Sequence, residues 1–149
     1  MSLSYDVFTD AFLHKIKEYD FSLMDEYACT DAVDGYMKRA ISQFHKICKY
    51  ELTATADDEE RVIHTEVVSD DLDEIVDIVS EGMIVQWLKP YVYHQENLEN
   101  VLNTRDFTTY SPAELLMRIG DAYDRAKSDF TQMIREYSYA HGDLTELHL

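Results

Sequence analysis

The chain has 149 residues, of which 46% are hydrophobic and 12% aromatic, enough for one folded domain with its own core and not the composition of a disordered segment. Gly and Pro total only 6, too few turn formers for a sandwich or barrel of many short strands. Acids outnumber bases 30 to 13, for a net charge of −17. That balance disfavours a grip on nucleic acid, which needs Lys and Arg to displace phosphate counterions, and it disfavours attraction to anionic lipid.

No charge-free stretch exceeds seven residues, as at Gly82–Leu88, so no membrane span is expected. The opening Met-Ser-Leu-Ser-Tyr-Asp lacks a basic region and an apolar run and does not read as a signal peptide. Cys29 and Cys48 are too few for a disulfide framework and fit a reducing, cytosolic history. The charge is concentrated: residues 51–82 carry 12 acids and 1 base, net −11, against −2 before and −4 after. Such self-repulsion predicts an exposed arm or loop over about 51–69.

In chain order, Phe8, Phe12, Ile16 and Tyr19 recur at helical steps and predict a first helix over Tyr5–Tyr19. A second is predicted over Asp31–Lys49, with Thr30 as N-cap and Val33, Tyr36, Met37, Ala40, Phe44, Ile47 and Cys48 on its apolar face. The β-branched pairs Val62-Ile63 and Val67-Val68 around Thr65 predict a short strand or an irregular arm at about 60–68. A third helix starts near Ser69-Asp70-Asp71, where acids complement the helix dipole. Its stripe is Leu72, Ile75, Val76, Val79, Met83 and Trp87. Ile78, Ile84, Val85 and Leu88 widen that stripe, so its second half should be buried on most sides until Pro90 stops or kinks it.

A short helix near Gln95–Asn103 follows. Ser111-Pro112-Ala113-Glu114 is a capping box with Pro at the first helical position, opening a helix to about Tyr139, with His141-Gly142 as the stop. Leu116, Ile119, Tyr123, Ala126, Phe130, Met133 and Tyr137 alternate steps of 3 and 4, a heptad seam. A short tail occupies 141–149. The predicted fold is all-α: one domain over 1–149, four or five helices, the last one long.

Few residues invite chemistry. The acid run Asp70-Asp71-Leu72-Asp73-Glu74 has no central Gly and opens a helix, so it is no calcium loop. His45 and Cys48 lie one turn apart, but no second pair completes a four-ligand zinc site. There is no GxSxG, no HExxH and no Gly-rich phosphate loop. No cofactor, metal site or catalytic residue is expected, and the chain does not read as an enzyme. The 11 tyrosines leave two readings open. Trp87, Tyr91, Tyr93, Tyr137 and Tyr139 are either a core rim or partner-binding residues, since Tyr and Trp are enriched at interface hot spots.

The Tyr5–Tyr19 helix, Ala40-Ile41-Ser42-Gln43-Phe44 within the second helix, Ile84-Val85-Gln86-Trp87-Leu88-Lys89-Pro90, Asn103-Thr104-Arg105-Asp106-Phe107-Thr108-Thr109-Tyr110-Ser111-Pro112-Ala113, and the closing Tyr137-Ser138-Tyr139 follow one another in a set order. In that order the chain resembles the small head–tail connector, or neck adaptor, proteins of tailed bacteriophages infecting Gram-positive hosts. The resemblance spans most of the chain and is weakest over 51–69 and after His141.

It implies a structural virion protein of the neck, present in the host cytoplasm during assembly. Such adaptors form a homo-oligomeric ring, commonly of twelve, on the portal protein, extend the DNA channel and dock the next neck or tail protein. DNA passes through without specific binding. On that reading Asp57, Asp58, Glu59, Glu60, Asp70, Asp71 and Asp73 are channel-charge candidates, which would keep DNA from sticking. The competing expectation is a monomeric acidic regulator that binds a basic partner.

Overall fold

The computed structural model describes residues 2–17, 30–53, 55–93 and 112–141. Its elements in order are β1 (Leu3–Ser4), α1 (Tyr5–Ile16), α2 (Thr30–Phe44), β2 (Ala56–Asp57), β3 (Val62–Ile63), α3 (Ser69–Tyr93) and α4 (Pro112–His141). The fold is mostly helical, with a small antiparallel sheet in the order β1-β3-β2. The expected helix at Gln95–Asn103, the Ser111 cap and the tail beyond His141 lie outside the described residues, as does Tyr19.

The Ser4 side chain starts α1 by accepting from the Asp6 amide at 3.2 Å, while its own backbone is extended. Tyr5, Phe8, Thr9, Phe12 and Ile16 form the buried face of α1. At its far end the Lys15 ammonium reaches α3, 2.7 Å from an Asp77 carboxylate oxygen and 3.0 Å from one of Glu81.

In α2 the buried positions are Val33, Asp34, Met37, Ala40, Ile41 and Phe44. The helix ends at Phe44, five residues before the expected Lys49. The Phe44 carbonyl accepts from both Ile47 (3.0 Å) and Cys48 (3.2 Å), so the chain tightens into a turn. Ile47 therefore leaves the apolar face and is 40% exposed.

Val62-Ile63 is a strand, as its β-branched pair suggests, and the middle one of the three. Leu3 pairs with Ile63 and Ser4 with Val62 on one side; Ala56 pairs with Ile63 and Asp57 with Val62 on the other. Val67 and Val68 are not in a strand, and Val68 is exposed. The segment expected as an arm is thus laid on the body, with Leu52 and Ile63 buried in the core.

Pro90 does not stop α3, which continues to Tyr93. The missing amide and ring clash fall in the final turn and cost one backbone bond, to the Gln86 carbonyl. Every residue from Gly82 to Leu88 is buried. Along α4 the seam holds: Ile119, Tyr123, Ala126, Phe130 and Tyr137 are buried, and Leu116 and Met133 half-buried. This seam packs chiefly on α3, which also packs against α2 and α1. Gly82 sets the closest approach. A Cβ there would stand 2.8 Å from two ring carbons of Phe130 and 2.9 Å from the Ala40 Cβ, so α2, α3 and α4 meet where a side chain is missing.

Candidate functional site

The acidic segment begins as a hairpin, Ala56–Ile63, whose tip is Asp58-Glu59-Glu60-Arg61. Asp57 builds the turn: its Oδ1 accepts from the Glu59 amide at 3.0 Å and the Glu60 amide at 3.3 Å. Arg61 completes it with φ of 57°, among the described residues the one non-glycine in the left-handed region. That backbone costs something, and the side chain supplies the offset.

The Arg61 guanidinium donates from Nε to Asp34 Oδ2 at 2.7 Å and from Nη2 to Asp34 Oδ1 at 2.8 Å, a two-pronged grip on α2. Its Nη1 donates to Asp6 Oδ1 at 2.8 Å in the first turn of α1. The group also lies 6.0 Å from the Tyr5 ring centre, and the Arg61 carbonyl accepts from the Tyr5 amide at 2.9 Å. Asp34, then Asp6, hold the guanidinium firmly in its charged form. Beside this clasp the Tyr5 hydroxyl donates to Asp58 Oδ1 at 2.7 Å, and Lys38 of α2 is 3.0 Å from Asp58 Oδ2.

Burial first, and Asp58 second, push the Tyr5 phenol above its usual range. The Tyr5 bond and then Lys38 hold Asp58 below its ordinary value of 3.8. The single base of residues 51–82 therefore ties the hairpin to two helices, as Asp58 does through Tyr5 and Lys38. Its sequence signal was its isolation among 12 acids, where an unneutralised hairpin would repel itself.

The seven channel-charge candidates separate into two sets. Asp57 and Asp58 are engaged as above, and Asp71 accepts from the Tyr50 hydroxyl at 2.5 Å. That bond raises the Tyr50 phenol. Glu59, Glu60, Asp70 and Asp73 are exposed. Asp70 and Asp71 also sit in the first turn of α3, where the dipole favours them.

The aromatic candidates are dispersed. Trp87 is 1% exposed and meets Phe12 edge-on, with ring centres 6.1 Å apart. Tyr137 is fully buried; its ring meets Phe44 edge-on, and its oxygen accepts from the Lys49 amide at 3.0 Å. Neither offers a surface to a partner: both bury a large ring between helices, which is the core reading. Tyr91 is half-buried, Tyr139 is 68% exposed, and the Tyr93 side chain lies outside the described set.

Cys48 is half-buried with its Sγ 3.8 Å from the Tyr137 oxygen, and burial raises its thiol. Among the described residues, no group of three or more His, Cys, Asp or Glu side chains is arranged to hold a metal ion, and no helix is long and apolar enough to cross a membrane. Two clefts flank the clasp. One, of about 190 Å³, lies between α1 and α2 over Asp6, Asp10, Leu13, Val33, Asp34 and Arg61. The other, of about 270 Å³, lies between α2 and the hairpin over Met37, Ile41, Leu52 and Ile63.

What this arrangement does is hold a negatively charged hairpin in one place. The one guanidinium in it is engaged by two carboxylates. Compared with protein families, with characterised proteins and with solved structures, the chain matches none.

Proposed function

We propose that the chain is a structural neck protein of a tailed bacteriophage. In this reading it forms a ring on the portal vertex, extends the DNA channel and docks the next neck or tail component. The reading starts from the ordered sequence resemblance. The structural observation that supports it is the Arg61 clasp, which fixes an acidic hairpin on the body of every subunit. Repeated around a ring, Glu59 and Glu60 make a negative collar, and Asp70 and Asp73 add to it if they face the same way. Its reach is about a Debye length, roughly 8 Å at physiological salt, so it acts only on DNA that passes close by.

The test is assembly with the portal protein of the same phage, followed by electron microscopy and mass measurement. Portal-bound rings are the expected result. A protein that stays monomeric and leaves the portal bare refutes the reading, and binding of a basic protein by that monomer would favour an acidic regulator instead. The collar is tested within assembled particles by Glu59→Gln with Glu60→Gln, and separately by Asp70→Asn with Asp73→Asn. These spare the carboxylates that hold the fold. Greater DNA retention at low salt is the expected effect; ejection unchanged at every salt concentration removes the collar and leaves the ring.

A further inference from the structure

We propose that the apolar groove between α2 and the acidic hairpin receives Ile47 of a second copy of this chain, with the incoming Lys46 set against Glu59 and Glu60. The contact goes beyond the neck reading, because it joins free subunits before any portal is present.

The groove has an apolar floor of Met37, Ile41, Leu52 and Ile63, with Thr53 and Ala56 at its mouth. Its volume of about 270 Å³ leaves room for an inserted apolar side chain. Its rim is charged. Lys38 and Asp58 line it and match each other at 3.0 Å, and the exposed Glu59 and Glu60 follow Asp58 directly in the hairpin tip. An occupant must therefore bring an apolar tip within a basic frame.

The chain carries such a segment on its own surface. Leu13, Ile47, Val68, Met117 and Tyr139 are the large exposed hydrophobics among the described residues. Singly exposed apolar residues are ordinary. Ile47 differs from the other four in having an exposed lysine within two residues on both sides, Lys46 and Lys49. It is also held out rigidly, because its amide donates to the Phe44 carbonyl at 3.0 Å and the turn behind it is fastened by the Tyr137 oxygen on the Lys49 amide.

Knob and groove both belong to the C-terminal end of α2, with Ile47 six residues after Ile41. That closeness suits an exchange about a two-fold axis, in which each copy gives a side chain and receives one. The patch is small, so the pair is weak and forms at high protein concentration.

Sedimentation equilibrium of the full chain over a wide concentration range, at low and high salt, tests this. The expected wild-type result is a monomer–dimer equilibrium that weakens with salt. Ile47→Asp should reduce association on the order of tenfold or more, by placing a charge against both the floor and the acidic rim. Lys46→Glu should reduce it about two- to fivefold at low salt. Adding Glu59→Lys and Glu60→Lys to Lys46→Glu should restore it. Residues 46, 47, 59 and 60 are all exposed, and circular dichroism of each variant checks that the fold is kept. A wild-type chain that stays monomeric throughout, or a dimer that these substitutions do not weaken, overturns the proposal. Portal binding, scored separately on the same proteins, reports on the neck reading whichever way the dimer result falls.

Discussion

Two junctions hold this molecule together, and they work by opposite means. At Gly82 three helices meet through absence: no side chain separates α3 from the Phe130 ring and Ala40. At Arg61 three pieces of chain meet through presence: one long side chain bridges the hairpin, α2 and α1. The first junction is dry and apolar, so its strength is packing and is indifferent to salt. The second is ionic and part-exposed, with 30% of the Arg61 side chain accessible, so solvent screens part of it. A fold that is apolar in the bundle and electrostatic at its edge should fail in two separable ways.

The largest effect expected is on the apolar side. Phe44 is fully buried, and Phe44→Ala should cost about 3–5 kcal/mol through lost transfer energy and a cavity, measured by the denaturant midpoint. Ile119, equally buried, should lose about 2–5 kcal/mol on replacement by Ala in the same measurement. Gly82→Ala should destabilise by about 1–3 kcal/mol through overpacking, although Ala is the better helix former by about 1 kcal/mol. A stabilised Gly82→Ala protein would show that the three helices part easily.

The ionic side comes next. Arg61→Gln leaves Asp34, whose side chain is only 13% exposed, without its two-pronged partner. The expected loss is about 1–3 kcal/mol, toward the lower end because the pair is part-exposed. Hydrogen exchange should quicken at residues 56–63 and remain slow in the middle of α3. Uniform quickening would mean the two junctions are one cooperative unit. Arg61→Lys should rescue little, since an ammonium cannot span Asp34 and Asp6 with a planar fork.

The smallest effect is titration of Asp58. Its carboxyl is held below its ordinary value by the Tyr5 hydroxyl and Lys38. Its contribution is therefore fully present above the ordinary value of 3.8 and is lost as pH falls below it through the depressed one. Asp58→Asn should remove that component of acid loosening at the hairpin while leaving the bundle's acid response unchanged, as read by tyrosine fluorescence and amide exchange.

The bundle was legible because its signals are periodic. Seven seam positions of α4 reach buried or half-buried places, and the apolar widening of α3 after Ile78 is burial on all sides. The end of α2 was not legible: Ile47 and Cys48 continue the period, but the Phe44 carbonyl draws both amides into a turn. Pro90 is an ordinary stop signal whose cost falls where the helix has one turn to lose.

Two-residue strands carry no period at all, so Val62-Ile63 suggested a strand without revealing that Leu3-Ser4 is its partner. The acid run looked uniform, yet its members differ in reach. The short Asp57 carboxylate bends back to its own turn amides and Asp58 meets Tyr5, whereas Glu59 and Glu60 extend into solvent. A composition count cannot separate these roles, and it cannot tell a buried Trp87 from an exposed one.

The pairing of Leu3 with Ile63 also orders events in time. Those partners are sixty residues apart, so closing the sheet costs chain entropy that helix formation does not. Contacts of that separation form late. During synthesis the first strand waits, unpaired, until α1, α2 and the whole hairpin have left the ribosome. Until Arg61 arrives, Asp6 and Asp34 have no cation of the hairpin to meet, so the acidic edge takes its shape only after both helices that hold it have been made.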